Sequence, residues 1–147
     1  MKNHILIRET NFNKARKLIR ENKNKEIIFS SNDDELNRKI LEKENINIIL
    51  INQTGRKDFQ KQRNSGFNQV LAKIAKKKKV VIGINLNEII NSNEKAQILA
   101  RIKQNIRLCN KNKLEMKFIS FKHKRNPHDL KSLGLVLGMP TWMIKEI

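Results

Sequence analysis

Five short apolar runs, each separated from the next by a longer stretch of helical periodicity, constrain this chain more than any other feature of its sequence. The runs at 5–7, 27–29, 46–51, 80–84 and 116–121 read as strands. Strands that alternate with helices build βαβ units around a parallel sheet. Val80-Val81-Ile82-Gly83-Ile84 is apolar at every position, as a strand covered on both faces must be. Between the runs, apolar residues recur at helix spacing: Phe12, Ala15 and Ile19; then Phe67, Val70, Leu71, Ile74 and Ala75; then Ile98, Ile102, Ile106 and Cys109. Asn32-Asp33-Asp34-Glu35 reads as an N-cap and first helical turn, where carboxylates suit the helix dipole. Asn126-Pro127 starts a further helix that Gly138 can end, with Leu130, Leu133 and Leu137 facing inward and Trp142 packing beyond it.

The 147 residues suit one domain, expected over 1–147. The fold class is therefore expected to be α/β, with parallel βα units forming a shortened or incomplete TIM-like barrel. Five strands cannot close an eight-stranded barrel, which takes roughly 200 residues or more. The open sheet edge would need a loop, a partner or a second copy to cover it.

Charge narrows the partners. Lysine and arginine number 32 against 14 aspartates and glutamates, a formal net charge of +18. Self-repulsion of that size opposes compaction and persists most readily where a polyanion neutralises it, nucleic acid being the commonest. An A+T-rich coding bias toward Lys, Asn and Ile would inflate the lysine count, and a run such as Lys76-Lys77-Lys78-Lys79 at a helix end can also be a solvated cap. The apolar run after Met1 is too short for a signal-peptide core, no stretch reaches transmembrane length, and no lipid signal is present, so a cytoplasmic location with no membrane partner is expected. Aromatic residues make up 5 % with no tyrosine, so recognition should run through backbone and shape rather than an aromatic platform.

Residues 52–65 lack an apolar period and are expected to form a mobile basic loop after the third strand, at the carboxyl edge where α/β proteins place binding loops. Catalytic chemistry is hard to assemble. The three histidines, His4, His123 and His128, are scattered, only lone acids such as Glu88 follow strands, and Cys109 is a single thiol on an apolar stripe. No P-loop, nucleophile elbow or dinucleotide glycine pattern occurs. No catalytic residue, no metal site and no protein-bound cofactor is expected.

Two segments carry a resemblance. Gly55-Arg56-Lys57-Asp58, followed by Gly66-Phe67-Asn68-Gln69-Val70-Leu71-Ala72-Lys73-Ile74-Ala75 and the strand after it, is similar to the central block of the archaeal ribonuclease P protein component 3 family. Arg125-Asn126-Pro127-His128-Asp129-Leu130-Lys131-Ser132-Leu133-Gly134 resembles that family's second block, and Asn105-Ile106-Arg107-Leu108 fits the spacing between them. The likeness covers about 46–143, with 59–65 inserted, Gln69 where the family often has histidine, His128 where it often has arginine, and fewer N-terminal barrel strands. It implies a barrel related to metal-dependent phosphoesterases but without their metal site. It also implies a protein cofactor of a catalytic RNA that removes the 5′ leader of precursor tRNA. The partners would be ribonuclease P RNA, precursor tRNA indirectly and another small protein subunit, with the catalytic Mg2+ held by the RNA. The implied phosphate contacts are Arg56, Lys57, Lys73, Lys78 and Arg125, with His128 and Lys131 beside them. Two other readings stay open: a general, ribosomal-type RNA-binding protein, and a degenerate phosphoesterase of the related barrel class.

Overall fold

Asparagine and aspartate start most of the helices. The side chains of Asn11, Asp33, Asn68 and Asn126 accept the backbone N–H groups of Lys14, Glu35 and Leu36, Leu71, and His128 at 2.8–3.3 Å. Each satisfies a donor that the first turn leaves free. Among the described residues, three helices are followed by a residue in the left-handed conformation. Gly138 takes φ 98°, while Lys79 and Lys113 take it at 58° and 57° without the freedom of glycine.

The computed structural model describes residues 3–122, 124–145 and 147. Strands β1 (His4–Arg8), β2 (Glu26–Ser30), β3 (Ile48–Leu50), β4 (Val81–Asn85) and β5 (Met116–Ile119) form one parallel sheet in chain order. The helices are α1 (Phe12–Glu21), α2 (Asp34–Lys43), α3 (Gln69–Lys78), α4 (Leu86–Asn91), α5 (Lys95–Lys111), α6 (Pro127–Leu137) and α7 (Thr141–Ile144). Register runs Ile5 to Ile27, Ile28 to Ile48, Ile48 to Val81 and Ile82 to Met116.

A strand order that always advances in one direction, with right-handed crossovers, places every helix on one face. The core agrees. Ile7, Ile27, Phe29, Ile49, Ile82 and Met116 point to the face where the buried side chains of α1, α2, α3, α5, α6 and α7 gather. Alternate residues Ile28, Ile48 and Leu50 face the other way and pack with Leu6, Val81 and Ile119, strand against strand. In a flat sheet, four spacings of about 4.8 Å would set β1 and β5 roughly 19 Å apart. Yet the Arg8 guanidinium carbon lies 5.5 Å from the Phe121 ring centre. Side-chain reach and curl together bridge the mouth, and the sheet is an open segment of a TIM-like barrel: α/β, parallel and unclosed.

Several expectations shift in detail. Asn68 caps α3, so Phe67 precedes that helix instead of belonging to its stripe, and Val70 is 50 % exposed. Strand β5 stops at Ile119, short of the expected 121, and the short helix α4 had no signal in the periodicity. Trp142 packs half-buried, its indole N–H donating to Asn110 Oδ1 at 3.2 Å. Among the described residues no helix is long and apolar enough to cross a membrane.

Gly83 leaves room for the side chains of neighbouring strands to pack over β4. A Cβ there would stand 3.0 Å from Ile48 Cγ2, 3.1 Å from Leu50 Cδ1 and 3.3 Å from Ile119 Cγ1. Gly83→Val should cost about 1–3 kcal/mol by overpacking, read from urea unfolding. Cys109 is fully buried and its thiol is pushed up to about 12 by desolvation. It should resist alkylation in the native protein at pH 8 and react once urea unfolds the chain.

Candidate nucleic-acid interface

The carboxyl ends of β1 to β4 surround an open cleft of about 530 Å3 whose lining includes Arg8, Ser31, Asn32, Asn52, Asn85 and Glu88. Its floor is a ladder of neutral groups at three neighbouring strand ends. Asn85 Nδ2 donates to Asn52 Oδ1 at 3.0 Å, and Asn52 Nδ2 donates to Ser30 Oγ at 3.1 Å. Glu88 accepts the backbone N–H groups of Gln53 at 2.8 Å and Thr54 at 3.1 Å, so its carboxylate anchors the loop that leaves β3. Metal-dependent phosphoester chemistry needs converging carboxylates and imidazoles. Here the strand ends offer amides and hydroxyls, and among the described residues no three His, Cys, Asp or Glu side chains are grouped to hold an ion. His4 pairs its Nδ1 with Glu26 Oε2 at 3.0 Å on the far edge, His128 is exposed in the first turn of α6, and His123 lies outside the described residues.

Residues 52–65, expected to be a mobile loop, form a segment pinned by two guanidinium groups. Arg101 of α5 is 3 % exposed. Its Nε donates to Asp58 Oδ1 at 2.9 Å, Nη1 to the Gln53 carbonyl at 3.1 Å and Nη2 to the Arg56 carbonyl at 2.8 Å. Arg56 in turn donates from Nε to the Asn52 carbonyl at 2.7 Å and grips Asp34 with both terminal nitrogens, at 2.7 and 2.8 Å. That fork is the bidentate geometry only arginine supplies. Gly66, at φ 72°, makes room for it: a Cβ there would collide with Arg56 Nη2. The inserted stretch 59–65 turns back on itself, Phe59 N–H donating to the Gln62 carbonyl at 2.8 Å.

The candidate phosphate contacts do not form one cluster. Arg56 has a side chain only 10 % exposed and spends its donors inside the protein, so it positions the loop instead of offering a free cation. Lys57, beside it, is exposed, and so are Lys61 and Arg63 further along. Arg125 and His128 are exposed where α6 begins, and Lys131 is half-buried one turn later. Lys73 is exposed midway along α3. Lys78 ends α3 and leads into β4 at the amino edge, about 16 Å, the length of a five-residue strand, from the carboxyl edge. Lys76 there donates its ammonium to the Lys113 carbonyl at 2.9 Å. Two residues escaped the sequence reading. Arg101 could have been found as the one cation within the stripe Ile98, Ile102, Asn105, Ile106; Arg8 as the cation that closes the first apolar run.

Replacing Arg101 by Met leaves two carbonyls and a carboxylate without their donors and should cost roughly 3 kcal/mol, measured by thermal or urea unfolding. The carboxyl of Asp58 is held below its ordinary range, first by the hydrogen bond from Arg101 and next by the backbone N–H of Asn64, with desolvation opposing. A depressed folded pKa stabilises above the unfolded value and loses that contribution as pH falls through the folded value. Asp58→Asn should therefore be less stable than the parent at neutral pH, with the difference shrinking below about pH 4 in urea melts taken across the acid range.

No family model matches this chain, and a search of curated proteins gives no match. Among solved structures, the chain is similar to one in the cryo-EM structure of archaeal Ribonuclease P with mature tRNA. The TM-score is 0.83 at 22 % identity, covering 99 % of this chain. This chain spans 64 % of the length of that one, and the two share a fold.

Proposed function

We propose that this chain is a protein subunit of ribonuclease P, of the component 3 type, which binds and stabilises the catalytic RNA for 5′ leader removal from precursor tRNA. The observation that carries the reading is the superposition of nearly the whole chain on a protein chain of a ribonuclease P particle. A net charge of +18 and the two motif blocks around Arg56 and Arg125 support it. The neutral ladder Ser30, Asn52, Asn85 at the sheet edge supports a binding rather than a hydrolytic role for the protein. In this scheme the RNA holds the catalytic Mg2+ and performs the hydrolysis. The exposed Lys57 and Arg125 first, then Lys73 and the half-buried Lys131, neutralise phosphates, with His128 beside them as a hydrogen-bonding group, while Arg56 and Arg101 keep the β3–α3 segment in shape. A second small protein subunit belongs to the proposal, because β1 and β5 each have only one strand neighbour among the described residues.

Reconstitution tests it. The protein, its co-purifying subunit and the organism's ribonuclease P RNA are assayed for cleavage of precursor tRNA at reduced Mg2+. Cleavage that depends on the protein is the expected result; RNA binding with no effect on cleavage would favour a general RNA-binding role. The Lys57→Ala, Arg125→Ala double variant should weaken RNA binding and lower the slope of log affinity against log salt by about two. Arg56→Ala should act mainly through lowered stability of the loop.

A further inference from the structure

We propose that the cleft at the carboxyl edge takes a single unpaired nucleotide of RNA, its base lying against the Arg8 guanidinium and its edge read by Asn32, Asn52 and Asn85. The inference rests on the RNA-binding reading above and names what part of an RNA this site accepts.

Size comes first. About 530 Å3 is within the range of small-ligand sites and admits one nucleotide rather than a helix. Unpaired bases are the ones proteins can take out of a stack and place on an aromatic ring or a guanidinium plane. Arg8 provides such a plane. It stands at the end of β1 in the cleft wall, exposed, with no carboxylate partner among the described residues. The Phe121 ring, which is not part of the cleft lining, has its centre 5.5 Å from the guanidinium carbon across the mouth. Phe121 is 38 % exposed, and the contact offers a reason for an aromatic side chain to stay at that rim.

The floor has the matching chemistry. A base edge presents donors and acceptors side by side, which a carboxamide can meet with one of each. After the bonds Asn85 to Asn52 and Asn52 to Ser30, each of these two amides keeps one hydrogen unspent, and the Asn32 side chain has no partner among the described residues. Two carboxylates also line the cleft: Glu88 is held by two backbone N–H groups, and Glu9 accepts the N–H of Thr10 at 3.0 Å. Their charge favours entry of the neutral base and leaves the phosphates outside.

The test compares a short fluorescent oligouridylate with an RNA duplex of equal length, using the full chain and the variants Arg8→Ala, Arg8→Lys, Phe121→Leu and Lys57→Ala, each first checked for an unchanged urea midpoint. Arg8→Ala should weaken single-strand binding about ten-fold and Arg8→Lys nearly as much, since lysine keeps the charge but lacks the plane. Duplex binding should hardly move, and a 4-thiouridine in the oligomer should cross-link to the peptides carrying Asn52 or Asn85. The proposal is overturned if Arg8→Lys binds the single strand like the parent, if single strand and duplex lose equally, or if cross-links map elsewhere. Should Lys57→Ala weaken duplex binding while the Arg8 variants change nothing, the nucleotide site falls and the RNA-binding reading survives. Failure of the parent to bind either RNA removes both.

Discussion

Each crossover in this chain steps to the neighbouring strand in the same direction, and the rest of the molecule follows from that constraint. With right-handed connections, helices can occupy only one face. The opposite face must protect its side chains by curling, strand residue against strand residue, as Ile28, Ile48 and Leu50 do. A curled sheet of this kind collects all its strand ends at one mouth, where residues distant in sequence come within reach of each other. Ser30, Asn52 and Asn85 meet there, and Arg8 crosses to Phe121.

A chain this basic has to divide its cations between holding itself together and meeting a partner. Arg101 and Arg56 belong to the first group, their donors directed at carbonyls and carboxylates of the β3–α3 segment and of α2. Arg16, 3.0 Å from the buried carboxylate of Glu44 at the end of α2, joins them. The exposed lysines have the compact and well-hydrated charge that suits phosphates of varied geometry, and Arg125 adds a planar fork that can grip one phosphate with two donors. Other guanidinium groups stand at the surface, among them Arg38, Arg63, Arg107 and Arg125. Arg8 differs from these in lying at the wall of the cleft with an aromatic ring 5.5 Å away.

The two sheet edges carry different kinds of positive charge. At the amino edge the lysines sit at helix C-termini, where they complement the backbone dipole and cap carbonyls, as Lys76 does for Lys113. At the carboxyl edge Lys57, Lys61, Arg63 and Arg125 ride on connections that emerge from strand ends. Cations also surround a recess at the amino edge, where Arg20, Lys23, Lys25 and Lys43 line it, but the carboxyl edge is the one at which α/β folds bind their ligands.

The sequence by itself determined the βα alternation, the parallel class, the unclosed barrel, the caps at Asp33, Asn126 and Gly138, and the burial of Cys109, because periodicity and capping are local chemistry. It placed Arg56 and Lys57 at the carboxyl edge of the sheet, in the connection after the third strand. It did not show the Arg56–Asp34 pair or the Arg101 contacts within 52–65, and it set Val70 on a buried stripe although that side chain is exposed. These contacts have a common feature. Whether a cation is free or consumed depends on Asp34 lying twenty-two residues away and Arg101 forty-five, and no window along the chain contains those contacts. The cleft, the amide ladder and the Arg8–Phe121 bridge were likewise decided only in three dimensions, because they exist only once the sheet curls and brings its first and last strands to one mouth.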